Sequence, residues 1–368
     1  MLKIRFSHIS IAIAMAIVVS CSRNDDSSGI ETVELQDLVP QDVNISSFTT
    51  GVETVGLESR EDCLVGMIRD LEIGDTRIYI SDLVTRSILI FDRSDGTFLS
   101  KLHKQGRGPG EYLEITDFCV DDAAGTIEIF DGSAGHLLTY DSNSLEFLES
   151  EDVPLLAPGG FLKKDGIYYF DTHRMGNHIG EKRTNSGIVS YNPDTKEFKA
   201  LFDDVRPEGE NRLFSINGFW RSPGNRLYYS QNWNDMVYEI KDNRAVPVLR
   251  VDPGRKGVPE SIRKGSYEQQ EKFIDSGSEG YRGFCLAYMH DGDMIIPFLD
   301  GGVPQKLMFY LKFDATETIA ENIIMDNIPE SPLLENAMIM NGNMVTYSFP
   351  ESPDANPSIM IFKIKCLQ

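Results

Sequence analysis

The 368-residue chain is 41% hydrophobic and 25% charged, a globular balance that excludes a disordered or collagen-like protein. Its 57 acidic residues against 35 Lys and Arg give a formal net charge of −22. That sign argues against nucleic acid as the main partner, because phosphate binding needs basic groups, and against electrostatic docking on anionic lipid. Many Gly, Phe and Tyr with only 2 Trp fit a chain of short strands and turns.

The N-terminus reads as an export signal. Lys3 and Arg5 precede an uncharged apolar run, Ile9 to Val19, too short to span a bilayer core of about 30 Å as a helix. The run ends in Val18-Val19-Ser20-Cys21, which resembles the lipobox of bacterial lipoproteins and implies Cys21 as the lipidated residue. Residues 1–20 are then a signal peptide. Residues 21–45 form a polar tether that includes Asp25-Asp26, and residues 46–368 are the folded domain. The expected location is the outer membrane, on its cell-surface or periplasmic face. Cys63, Cys119, Cys285 and Cys366 are widely spaced and form no CxxC motif. Cys119 and Cys285 lie in apolar runs, and a Cys63–Cys366 bridge between the chain ends is open.

Further along, β-type runs alternate with turns at a fixed period. Arg77 to Asp82, Ser87 to Asp92 and Thr97 to Leu102 are followed by Thr126 to Asp131, His136 to Asp141 and Glu146 to Glu149. Each triplet is preceded by a run carrying Asp70 or Asp117. Asp82 and Asp131 are in register, as are Asp92 and Asp141. Four strands per repeat of 40–50 residues is the signature of a β-propeller blade. The pattern continues through a third blade with an insertion at 172–186, then a fourth and a fifth. Between the fourth and fifth, residues 258–276 lack strand alternation and read as a short helical insertion. Only three strands remain for a sixth blade. The run at 46–58 supplies its missing strand beside 359–364, closing the ring and removing an open edge. The expected fold is all-β, a six-bladed propeller of four-stranded blades closed by an N-terminal strand.

Between the first two blades, Lys104 to Tyr112 reads Lys-Gln-Gly-Arg-Gly-Pro-Gly-Glu-Tyr. With the flanking strands and the Val-Glu-Thr-Val-Gly-Leu-Glu run at 52–58, this resembles the six-bladed β-propeller lipoproteins of Bacteroidetes, TolB-like or NHL-like in architecture. The resemblance implies the fold and the outer-membrane setting; it supplies no catalytic residue. The glycines and Pro109 make a compact loop that presents Arg107, Glu111 and Tyr112 as ligand-binding candidates. The other reading is that the loop locks two blades together.

Asp70 and Asp117, in register on innermost strands, are weak candidates for a channel cation such as Ca²⁺; Asn217 and Asn336 are the nearest equivalents in later blades. The competing role is acceptance of backbone N–H bonds at strand starts. His173 and His178 lie five apart in the insertion without an evident third ligand. Trp220, Trp233, Tyr228, Tyr229 and Tyr281 make either a sugar-stacking platform or inter-blade packing. No catalytic motif is present. The leading expectation is a non-catalytic binding or scaffold lipoprotein, held to the membrane by its N-terminal lipid, that takes part in glycan or peptide uptake. Its partner is an undefined glycan, peptide or protein. The alternative is a metal-dependent hydrolase or lyase resembling gluconolactonase-type propellers. The expected ring brings Asp70, Asp117, the Gly106–Tyr112 loop and the 172–186 insertion around one end of its channel.

Overall fold

The computed structural model describes residues 30–157, 159–173, 175–202, 218–222, 224–230, 235–263, 265–276, 281–284, 287–301, 306–326, 337–340, 342–350, 352 and 354–365. Cys21, the signal peptide, Trp233, Asn217, Asn336, Cys285 and Cys366 lie outside these residues.

Six antiparallel sheets follow one another along the chain. Blade I is Ile68–Ile73, Arg77–Asp82, Ser87–Asp92 and Phe98–Leu102. Blade II is Asp117–Asp121, Thr126–Asp131, His136–Asp141 and Phe147–Asp152. Blade III is Phe161–Lys164, Ile167–Asp171, Ile188–Asn192 and Glu197–Ala200. Blade IV is Phe219–Ser222, Arg226–Tyr229, Met236–Lys241 and Arg244–Asp252. In blade V the innermost position is shared by Arg282–Phe284 and Tyr288–His290, followed by Asp293–Asp300, Lys306–Phe313 and Thr316–Ile324. Blade VI is Met338–Met340, Asn343–Ser348 and Ser358–Ile364, completed by Thr49–Gly56. The expected propeller is thus the observed one. The helical insertion is present as Glu260–Arg263 and Tyr267–Asp275.

The middle strands are apolar on both faces because each blade is sandwiched between two others. In Arg77–Asp82, Ile78 and Ile80 join the core shared with blade VI, while Tyr79 joins the core shared with blade II. The outermost strands of blades I to III have only one hydrogen-bonded neighbour, and Phe147–Asp152 is mostly exposed. The Asp residues that mark the 49-residue period are latches. Asp82 is buried and accepts N–H bonds from Met67 (2.8 Å) and Thr85 (3.0 Å), and Asp131 accepts from Leu113 (2.6 Å). Asp171 accepts from Gly218 at 3.1 Å. Each fastens the backbone leading into an innermost strand.

The closing strand pairs antiparallel with Ser358–Ile364, with Val55 opposite Ile359. The seam to blade I is held by a two-pronged Arg93–Glu53 pair at 3.1 Å and by Asn356, which accepts from the Val65 N–H at 2.7 Å.

Part of the stretch read as tether is folded. Glu31–Glu34 adds parallel to the outer strand of blade IV, and Pro40–Asn44 adds parallel to that of blade V. Val33, Leu35, Val43, Ile45 and Phe48 are buried there. This N-terminal belt covers two edges before the chain enters blade VI.

Candidate functional site

A cavity of about 550 Å³ runs along the ring, lined by innermost strands of all six blades. Alternation decides which side chains enter it. Asp70 and Glu72 share one face of their strand, as do Asp117, Cys119 and Asp121 of theirs. The lining reaches the turns joining first to second strands, at Gly74, Asp122, Asp165, Gly166 and Asn225.

The acidic wall belongs to blades I and II. The Asp70 and Asp117 carboxyls hydrogen-bond to each other. Burial raises the pKa of both, and for Asp117 the neighbouring Asp70 charge adds to the rise. Both also accept backbone N–H bonds: Asp70 from Leu71 (2.8 Å), Asp117 from Phe118 (2.9 Å) and Phe161 (2.7 Å). The Phe161 bond requires close approach of the chain at Gly160, where φ is +82° and any Cβ would collide with the Asp117 carboxylate. Burial, reinforced by Asp70, pushes Glu72 up to about 8.

Glu128, on the second strand of blade II, is buried beside this wall. It accepts from Lys163 Nζ at 2.5 Å and from the Tyr168 hydroxyl at 2.9 Å, and Cys119 Sγ lies 3.4 Å away. Lys163 also lies over the Tyr168 ring, 4.9 Å from its centroid. Burial holds the Cys119 thiol protonated. Blades IV to VI contribute a largely apolar and aromatic wall, Trp220, Tyr288, Met338, Ile339 and Met340, with Arg221 and Asn225 among it.

The remaining sequence candidates lie elsewhere. No described residue of the Gly106–Tyr112 loop or of the 172–186 insertion lines the cavity. The loop runs down the cleft between blades I and II. Gly110 lies against Phe147 of the outer strand, its carbonyl accepting from the Tyr140 hydroxyl at 3.1 Å. Tyr112 is fully buried in the inter-blade core and donates to the Arg86 carbonyl at 2.9 Å; burial pushes its pKa up to about 12. Glu111 accepts from the Gly108 N–H of its own loop at 2.7 Å, and Arg107 is exposed. The insertion forms a small hairpin, Asn177–Ile179 with Lys182–Thr184, tied by Asn177 to the Leu156 backbone.

His173 is packed against Gly159 and Asp171, and burial lowers its pKa to about 4, whereas His178 is exposed. Trp220 and Tyr228 are buried and stacked at 5.6 Å; Tyr229 is buried in the core between blades III and IV, and Tyr281 packs on Phe273. Among the described residues no three His, Cys, Asp or Glu side chains converge to hold a metal ion. The sequence reading missed Glu72, Glu128 and Lys163. Glu72 was marked by its i, i+2 spacing from Asp70, which places both on one face.

Residues 30–363 match the model of a family described as a domain of unknown function, DUF4934. The chain belongs to that family. No curated protein matches the DUF4934 chain. Its fold is shared with a Bacteroides fragilis protein provisionally described as exported, at 15% identity and a TM-score of 0.66, covering 91% of this chain and 99% of that one. It is also shared with a DUF4221-family protein of Bacteroides vulgatus, at 12% identity and a TM-score of 0.55, covering 86% and 98%. No helix among the described residues is long and apolar enough to cross a membrane.

Proposed function

We propose that this DUF4934 protein is an exported outer-membrane lipoprotein, anchored through Cys21, that binds a glycan or peptide ligand in its central channel without transforming it. The observation that carries the reading is the 550 Å³ cavity itself, within the size range of small-molecule sites and lined by polar and aromatic side chains from the whole ring. The lipobox-like Val-Val-Ser-Cys and the exported neighbour support the location. The metal-dependent hydrolase reading rests on Asp70 and Asp117, and three of their four carboxylate oxygens already accept backbone N–H bonds.

The test is calorimetric screening of oligosaccharide and peptide fragments against the wild type and Met340→Trp, which narrows the channel. Ligand binding is lost in the variant while its melting temperature is kept. Undiminished binding in Met340→Trp would move the site off the channel. Mass spectrometry of the mature N-terminus reads the anchor: an unmodified Cys21 overturns that part.

A further inference from the structure

We propose that the channel selects an organic cation, an ammonium group carried on an apolar or aromatic body. The inference rests on the channel being the ligand site and names what it takes. In a ring of six, blades I and II lie opposite blades IV and V, so an acidic wall faces one that is mostly apolar and aromatic, with Arg221 and Asn225 as its polar members.

On the charged wall, Asp70, Glu72 and Asp117 project inward with Glu128 beside them. The basic residues of the lining are already engaged. Lys163 pairs with Glu128 at 2.5 Å, Lys164 donates to the Ile240 carbonyl at 3.1 Å, and Arg221 bonds the Asn225 side chain at 2.6 Å and the Lys163 carbonyl. Acidic side chains outnumber basic ones along the cavity, and the Glu72 carboxyl accepts no hydrogen bond from any described residue. It faces Asp70 and Asp122, which oppose its ionisation, Arg221, which favours it, and Cys119.

Opposite, Trp220 is only 4% exposed, stacks on Tyr228 and meets Tyr288 edge-on at 5.7 Å. Its indole N–H is buried without an acceptor among the described residues. The cation pairs with Glu72, and its body lies along the Trp220, Tyr288 and Met338 wall, where aromatic faces also favour positive charge. An anion meets three carboxyl groups instead.

Binding ionises Glu72 and so releases a proton. Affinity therefore rises with pH until the ammonium itself begins to lose its proton.

The probes are phenethylamine, its neutral analogue 2-phenylethanol and its anionic analogue 3-phenylpropionate, titrated by calorimetry at pH 8 into the full mature protein. Phenethylamine is expected to bind about tenfold tighter than 2-phenylethanol, with 3-phenylpropionate weakest. Glu72→Gln loses about tenfold for phenethylamine and nothing for 2-phenylethanol; Glu61→Gln, at an exposed position away from the lining, changes neither. Repeating the titration in phosphate and Tris reads the released proton, which shrinks in Glu72→Gln. Equal affinity for all three probes, or preference for the anion, overturns the cation selectivity and leaves the channel reading intact. Absence of binding by all three also overturns it, and the glycan and peptide screen then judges the channel on its own.

Discussion

The Glu128–Lys163 pair is a short, buried ion pair of the channel wall, and removing one partner tests whether it holds blades II and III together. Glu128 is 3% exposed and Lys163 29%, so the carboxylate has almost no water to fall back on. Its Oε1 takes both a lysine at 2.5 Å and a tyrosine hydroxyl at 2.9 Å. Breaking a fully buried pair costs about 3–5 kcal/mol, and the partial hydration of Lys163 places Glu128→Ala near 3 kcal/mol. For a ring of this length the melting entropy converts that to a fall of about 4 °C. Lys163→Met strands the carboxylate and costs about as much. Glu128→Ala with Lys163→Met removes both charges together and recovers about half of the summed loss, because no buried charge is left unpaired. Thermal and urea denaturation of the four proteins, followed by circular dichroism, gives the coupling. Single effects that add to within about 0.5 kcal/mol would show that the two residues act independently and refute the reasoning.

Other outcomes follow from the same geometry. Glu72 has an ordinary value of 4.5 and a folded value of about 8, so between them the folded protein keeps a proton that the unfolded chain has released. Stability therefore falls as pH rises from 4.5 to 8; Glu72→Gln matches the wild type near pH 4.5 and exceeds it by about 2 kcal/mol at pH 8, after allowing for channel water. Denaturation curves that stay parallel across that range would contradict it. Tyr112→Phe removes the hydroxyl bonded to the Arg86 carbonyl and costs about 1–2 kcal/mol, whereas Arg107→Ala, at an exposed position, stays within about 0.5 kcal/mol. Equal destabilisation by the two changes sinks the assignment of the lock to Tyr112. Deleting residues 30–58 removes the belt and the closing strand, leaving Ser358–Ile364 as an open edge, and aggregation measured by light scattering is expected. An unchanged melting temperature would disprove closure.

The ring was legible because blades repeat. Asp82 and Asp131, Asp92 and Asp141 fall at one period, and the first two of these are the backbone latches that recur as Asp171 in blade III. The belt was not legible. Glu31–Glu34 and Pro40–Asn44 each bury a single valine, Val33 and Val43, and one buried residue in a short acidic run leaves no alternation to detect. Asp70 and Asp117 were placed on the channel correctly. Their mutual hydrogen bond depends on how neighbouring blades are staggered, which no single strand encodes. The Gly106–Tyr112 loop was legible only as compact backbone, because its glycines signal tight turns, and tight backbone serves packing in a cleft as readily as ligand contact. Tyr112, an aromatic at the end of the loop, was the clue to the former.

The closing strand also sets the order in which the molecule can be finished. Thr49–Gly56 is made early, but its partner Ser358–Ile364 lies at the far end of the chain. A chain emerging N-terminus first carries an unpaired strand through the synthesis of five blades, and the loop to be closed spans nearly the whole sequence. Ring closure is then the slow, final step, and until it happens the blade VI edge is open to proteases and to other chains. Once closed, parting that strand pair exposes the same edge again, so the Asn356 contact, which ties the C-terminal part of blade VI to the Val65 backbone, helps set how long the native ring survives rather than how fast it forms.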